Sequence, residues 1–221
     1  MNLEQARGNM VEQQIRTWEV LDQDVLDLLY SVPREEFVPP SCRNLAFTDL
    51  EIPLEPGNNA GEKMWAPKLE ARVLQELAPK RSDRVLEIGT GSGYLTALLA
   101  HRSAHVHSVE IQPALAAFGK ANIARHGVDN VSLALGDGAN GVVCGGPFDI
   151  IVLTGSVPQL PRALLDLLAP GGHAFAVIGD LPIMTAQLIA CTAAGALRTV
   201  ELFETVLAPL ANCTQPSRFR F

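Results

Sequence analysis

The sequence lacks the marks of several classes of protein. Nowhere in its 221 residues do eighteen apolar residues run uninterrupted, so no membrane-spanning helix is expected. Met1 to Gln14 alternates charged and polar residues without the apolar core of a secretory leader, and the chain reads as soluble, unexported and cytoplasmic. Positive charge is scarce: 17 Lys and Arg against 24 Asp and Glu leave a net charge of -7, and the pI is near 5.2. That balance argues against a nucleic-acid-binding surface. The four cysteines, Cys42, Cys144, Cys191 and Cys213, lie far apart with no Cys-x-x-Cys pair, which suggests reduced thiols rather than a zinc site or a disulfide framework. His105 and His107 share a face of a predicted strand, but no third ligand accompanies them and no metal is expected. Internal repeats and low-complexity segments are also missing.

What is present is apolar material, 48% of the residues, enough for one sizeable core. The expectation is a single domain over 1–221, with a helical and loop lead-in at 1–78 and an α/β core at 79–221. Apolar spacing predicts helices from Asn2 to Arg16 and from Asp24 to Tyr30. Prolines at 33, 39 and 40, and again at 53 and 56, then break helical continuity. Irregular chain is expected between Pro53 and Pro67, including the Gly- and Asn-rich stretch Gly57 to Gly61, and loops of this kind are often functional. A plain surface connection with Trp65 tucked into the core is the alternative. A helix from Lys68 to Leu77 follows.

The most informative stretch is Arg84 to Thr96. The short apolar run Val85 to Ile88 stops at Gly89, Gly91 and Gly93, and a helical pattern begins at Tyr94. A strand, a glycine turn and a helix N-terminus let a ligand approach the backbone and present free N–H groups. Further strands are predicted at His105 to Glu110, Val131 to Leu135, Phe148 to Leu153 and His173 to Ile178. Helices from Pro113 to His126 and from Pro161 to Leu168 intervene, and Pro170-Gly171-Gly172 makes a turn. Strands over Gln187 to Thr192 and Thr199 to Leu207 form an expected antiparallel pair at one side. This alternation predicts a doubly wound, mostly parallel sheet with its ligand at the carboxyl ends of the strands.

The glycine turn, Glu110 and Asp137 all fall at such ends. An acid closing the second strand suits the ribose hydroxyls of any adenosine-containing ligand. A dinucleotide fingerprint has Gly-x-Gly-x-x-Gly, whereas here Tyr94 occupies the third glycine's place. Glu87, two residues before the first glycine, would repel a phosphate and favour a ligand amino group. S-adenosylmethionine, with a sulfonium and an ammonium and no phosphate, fits these features better than a nucleotide for an oxidoreductase. The competing assignments are a solvated strand-end acid at Glu87 and a turn former at Asp137.

The segment Val85 to Tyr94, with Ser108-Val109-Glu110, Gly136-Asp137-Gly138, Phe148 to Val152 and Leu168 to Gly172, resembles the S-adenosylmethionine-dependent methyltransferases with a Rossmann-like sheet. Within them the chain is similar to the protein-L-isoaspartate O-methyltransferases. Val32 to Pro39, Ala46-Phe47 with Asp49, Ile52-Pro53-Leu54 and Val206 to Leu210 carry that similarity. It implies S-adenosylmethionine as cofactor and methyl-ester formation on isoaspartyl carboxylates of damaged protein or peptide. The implied cofactor-binding set is Glu87, Gly89, Thr90, Gly91, Ser92, Gly93, Glu110, Ile111, Gly136, Asp137 and Gly138. Glu87 and the glycine backbone would hold the methionine end, Glu110 the ribose, and Asp137 the adenine amino group.

The pattern breaks at Gly61 to Pro67. There the family carries Gly-Gln-Thr-Ile-Ser-x-Pro, and this chain has Lys63 at the Thr position and Trp65 at the Ser position. Lys63 and Trp65 are therefore the expected acceptor-site residues. A carboxylate acceptor needs no strong base, only in-line placement, so the missing hydroxyl need not abolish chemistry. An indole would nonetheless reshape the pocket, packing over an apolar or aromatic acceptor or lying near the sulfonium. Thr154 to Pro158 departs from the family as well and bears on the same pocket. An unknown small-molecule acceptor, or cofactor binding without catalysis, stays open at this point.

Overall fold

The structure, a computed structural model, describes residues 2–54, 62–139 and 145–213; Gly57 to Gly61 and Cys144 lie outside the described residues. Its frame follows from period-two burial. In strand β3 (Arg84–Ile88), Val85 packs into one apolar cluster and Leu86 and Ile88 into another. In β6 (Phe148–Val157), Ile150 and Val152 join the first cluster, Ile151 and Leu153 the second. Strand β7 (Leu168–Asp180) repeats this with Phe175 and Val177 against Ala174 and Ala176. Strands apolar on both faces need cover on both faces, as in a parallel sheet flanked by other elements.

The seven-stranded sheet has the order β5-β4-β3-β6-β7-β8-β9, where β4 is His105–Glu110, β5 Val131–Leu135, β8 Ile183–Cys191 and β9 Leu197–Thr205. Pairing is parallel from β5 through β7 and antiparallel from β7 to β9. The chain runs outward from β3 to β5 and returns to lay β6 on the other side of β3. The strand order reverses there, at the switch point where such sheets take ligands.

One face carries most of the helices. Helix α1 (Leu3–Met10) starts where the Asn2 side chain accepts from the Glu4 and Gln5 amides, and α2 (Gln23–Ser31) starts likewise at Asp22. Helices α3 (Pro67–Leu77) and α5 (Pro113–Arg125) open with proline at the first position. Leu69, Val73 and Leu74 of α3, the α4 (Tyr94–Arg102) residues Leu95, Leu98 and Leu99, and Leu115 of α5 enter the same cluster as Met10, Leu26 and Phe37 of the lead-in. The opposite face receives Leu164 from the short α6 (Arg162–Leu165).

Four expectations need correction. The first helix stops at Met10 and widens into a π-turn over Val11–Ile15, which keeps Met10, Val11 and Ile15 all buried. The 53–67 region is not wholly irregular: β1 (Ile52–Pro53) and β2 (Lys63–Met64) pair antiparallel. The helix expected to reach Leu168 ends at Leu165. Leu168 already belongs to β7, and Pro170-Gly171-Gly172 is absorbed as a bulge between the pairs Phe148↔Leu168 and Ile150↔His173, with Gly171 at φ 86°. The last two strands begin earlier than their apolar patterns suggest, at Ile183 and Leu197.

Candidate active site

A cavity of about 500 Å³ opens at the carboxyl ends of β3 and β4. Glu87, Gly89, Thr90, Gly91, Ser92, Glu110 and Ile111 line one end, and Lys63, Met64 and Trp65 the other. Gly136, Asp137 and Gly138 wall a smaller adjoining pocket that shares Gly89, Glu110 and Ile111 with the first. Folding thus gathers the expected residues from four separate segments around two adjoining pockets that share a wall. Gly93 is the exception among them and is a correction. It does not line the cavity; at φ 80° it faces α5, and a Cβ there would sit 2.9 Å from the Gly119 carbonyl oxygen. Gly93 therefore performs the close helix packing that a dinucleotide fingerprint assigns to its third glycine.

Glu87 is fully buried, which overturns the reading of a solvated strand-end acid. The register pairs it with Ser108 across β3 and β4, placing both side chains on one face. Its Oε2 accepts from Ser108 Oγ at 2.6 Å and from Thr96 Oγ1 at 2.5 Å, and Ser108 Oγ lies 2.6 Å from Thr90 Oγ1. Among the described residues its Oε1 is buried without a hydrogen-bond partner. Burial pushes the Glu87 carboxyl up to about 7; the Ser108 and Thr96 hydroxyls oppose this and the nearby Glu110 adds to it. An orphan carboxylate oxygen beside a cavity suits a cationic donor, and an ammonium fits that description.

Glu110 is buried at the end of β4 and accepts one backbone N–H on each oxygen, from Gly91 at 2.9 Å and Gln112 at 3.0 Å. A carboxylate offers about four lone-pair sites, so capacity for two ligand hydroxyls remains. Asp137 accepts from the Ala139 amide at 3.1 Å and from Asn212 Nδ2 at 3.0 Å. The first of these is the local turn bond of a turn former, so Asp137 shapes its loop as well as lining the smaller pocket.

At the other end, Trp65 is only 5% exposed and stands edge-on to Phe175 with ring centroids 6.3 Å apart. The two readings of Trp65 merge: its indole packs in the core against Phe175, and the residue also belongs to the cavity wall. Lys63 Nζ lies 3.1 Å from Glu51 Oε2. Several lining residues escaped the sequence reading. Glu70, 2% exposed, is ion-paired with Arg34, 1% exposed. It stands three residues before Val73 and seven before Leu77 on the apolar stripe of α3, and an acid at that spacing was the available signal. Leu207 to Ala211 also close over the cavity, anchored by Ser156, whose amide donates to Ala208 O and whose carbonyl accepts from the Leu210 amide, both at 2.9 Å. Thr154 and Gly155 of the divergent 154–158 segment line the wall as expected.

A mostly parallel sheet with this strand order, a glycine turn backed by a buried acid, and a second acid closing the next strand define a Rossmann-like, S-adenosylmethionine-dependent methyltransferase. Within that class, the chain belongs to the protein-L-isoaspartate(D-aspartate) O-methyltransferase family, which matches it over residues 5–213. A protein-L-isoaspartate O-methyltransferase of Methanoculleus marisnigri is 39% identical over 173 residues, 78% of this chain and 77% of the relative. One from Koribacter versatilis is 33% identical over 204 residues, covering 92% and 90%. A solved protein-L-isoaspartate O-methyltransferase superposes with a TM-score of 0.80 at 25% identity, over 93% of this chain and 66% of that longer one.

Proposed function

We propose that this chain forms methyl esters on isoaspartyl carboxylates of protein or peptide, and that the residues around the cavity divide into a cofactor end and an acceptor end. The observation that carries this reading is the single space joining the glycine turn to the Lys63–Trp65 segment. S-adenosylmethionine would supply an electrophilic methyl group there: the O–C bond to an acceptor carboxylate oxygen would form in line as the C–S bond breaks, with the neutral thioether S-adenosylhomocysteine leaving.

Glu87 Oε1 would accept from the ligand's ammonium, Glu110 from its ribose hydroxyls, and Asp137 from the adenine amino group. Gly89 to Ser92 bring backbone close to the methionine end, while Ile111, Gly136 and Gly138 flank the base. A carboxylate acceptor is already nucleophilic, so Lys63 and Trp65 need only place it and exclude water. Lys63 is the cation nearest such an acceptor by sequence, and Trp65 shapes the wall. In this reading 1–78 and 79–221 work as one methyltransferase domain, because the lead-in supplies part of the cavity wall, from Glu51 and Leu54 through Glu62–Trp65 to Glu70. Among the described residues no helix is long and apolar enough to cross a membrane.

The test is incubation of the protein with an isoaspartyl peptide and methyl-labelled cofactor. Base-labile label on the isoaspartyl peptide, and none on its aspartyl isomer, is expected. No transfer at high enzyme concentration would overturn the acceptor assignment, and transfer to an apolar or aromatic acceptor instead would point to Trp65 as its cause.

A further inference from the structure

The acceptor end of the cavity is rich in acids. Glu51, Glu62 and Glu70 line it beside Lys63. An anionic acceptor approaching such a wall meets repulsion unless the charges are cancelled. Lys63 does this for Glu51 at the rim. Glu70 lies deeper, and its counter-charge is Arg34, which comes from the lead-in 36 residues earlier in the chain.

Arg34 is used on every edge. Nη1 pairs with Glu70, Nη2 donates to the Trp65 carbonyl at 2.5 Å, Nε donates to the Ala46 carbonyl at 2.8 Å, and the guanidinium lies 5.1 Å from the Tyr94 ring centroid. Burial lowers the Arg34 guanidinium to about 10, which leaves it charged at neutral pH. One planar fork thus ties the lead-in, the Trp65 segment, α3 and the first residue of α4. Lysine, a point charge without the fork, would not satisfy all of these partners. A guanidinium this buried requires a counter-charge, and the one supplied is Glu70, an acid that also lines the cavity, so the pair sets the charge of the cavity wall as well as holding the segments together.

We infer that Arg34 is a positioning residue for the methyl acceptor: it fixes the Trp65 wall through the backbone and cancels Glu70, so that this end of the cavity admits a carboxylate. The inference rests on the isoaspartyl reading above. Its test measures acceptor KM, kcat and cofactor Kd for three variants. Arg34→Met leaves Glu70 unpaired and raises KM for an isoaspartyl peptide on the order of tenfold, the scale of one like-charge repulsion across about 12 Å at an effective dielectric of about 20, with cofactor Kd little changed. Adding Glu70→Met to Arg34→Met removes the stray charge and brings KM back towards that of the unaltered protein. Glu70→Gln alone keeps both carbonyl bonds of Arg34 and frees its charge, so KM for the anionic acceptor falls severalfold.

A double variant no better than Arg34→Met, or Glu70→Gln with an unchanged or raised KM, would overturn the inference. Glu70→Gln decides the matter if Arg34→Met does not fold. Failure of the unaltered protein to methylate isoaspartyl peptide overturns the isoaspartyl reading and the charge argument together. Transfer by the unaltered protein with the wrong variant pattern overturns the role of Arg34 alone.

Discussion

Glu87→Gln offers the sharpest check on the site, because the same burial that readies this acid for a cation makes it costly when no cation is there. Burial raises the Glu87 carboxyl from 4.5 to about 7, and a tenfold change in proton affinity corresponds to about 1.36 kcal/mol. A raised folded-state value means that the contribution is fully present below pH 4.5 and is lost as pH climbs through 7, leaving the folded state about 3 kcal/mol poorer at pH 8. The glutamine amide keeps an oxygen for Ser108 and Thr96 and carries no charge to desolvate. Urea unfolding without cofactor, at pH 5 and at pH 8, should show the variant gaining on the unaltered protein by about 2–3 kcal/mol between the two conditions. Cofactor affinity should move the opposite way, weakening roughly tenfold to a hundredfold as a charge-assisted bond is lost, by about 1.5–3 kcal/mol. Equal pH sensitivity of the two proteins would refute the claim that Glu87 is a buried, half-satisfied acid. Unchanged cofactor binding would remove it from the site.

Gly93→Ala should destabilise by about 2–4 kcal/mol, combining a left-handed φ with overpacking against Gly119 and Ile123. Gly127→Ala, at φ 64° with open space around it, should lose only about 1 kcal/mol in the same denaturation assay. Glu110→Gln should weaken cofactor binding about tenfold, read by direct titration, and leave acceptor KM near its starting value. Trp65→Ser empties space against Phe175 and should destabilise by about 3–5 kcal/mol, the range for losing a large buried aromatic. If the unaltered protein is a robust isoaspartyl methyltransferase and this variant works equally well at low temperature, Trp65 does not set acceptor choice.

Much of the site was legible because its signals are local. The glycine turn is a backbone requirement written over five residues, and Glu110 and Asp137 can be placed at strand ends by counting along apolar runs. Glu87 was legible as an acid beside the turn but not as a buried one. Its burial depends on the register that sets Ser108 opposite it and on the turn of α4 that brings Thr96 to the same oxygen. The long first helix and the helix up to Leu168 were misjudged at their ends, where tertiary packing and the bulge at Gly171 decide the boundary and apolar spacing does not. Arg34 and Glu70 stayed hidden because each looks like an ordinary surface charge in its own segment.

By itself, then, the sequence determined the alternation of strands and helices, the turn where a ligand enters and the acid at the end of β4, since each depends on neighbours within a few residues. The tertiary structure alone decided that Gly93 packs α4 closely against α5. It decided as well that Trp65 is both core and wall, and that Arg34 reaches Glu70 and the Trp65 carbonyl from a different part of the chain. Those are facts about which segments meet: Glu51, Leu54 and Glu62 to Trp65, Glu70 of α3 and Leu207 to Ala211 line one cavity although they are far apart in the sequence.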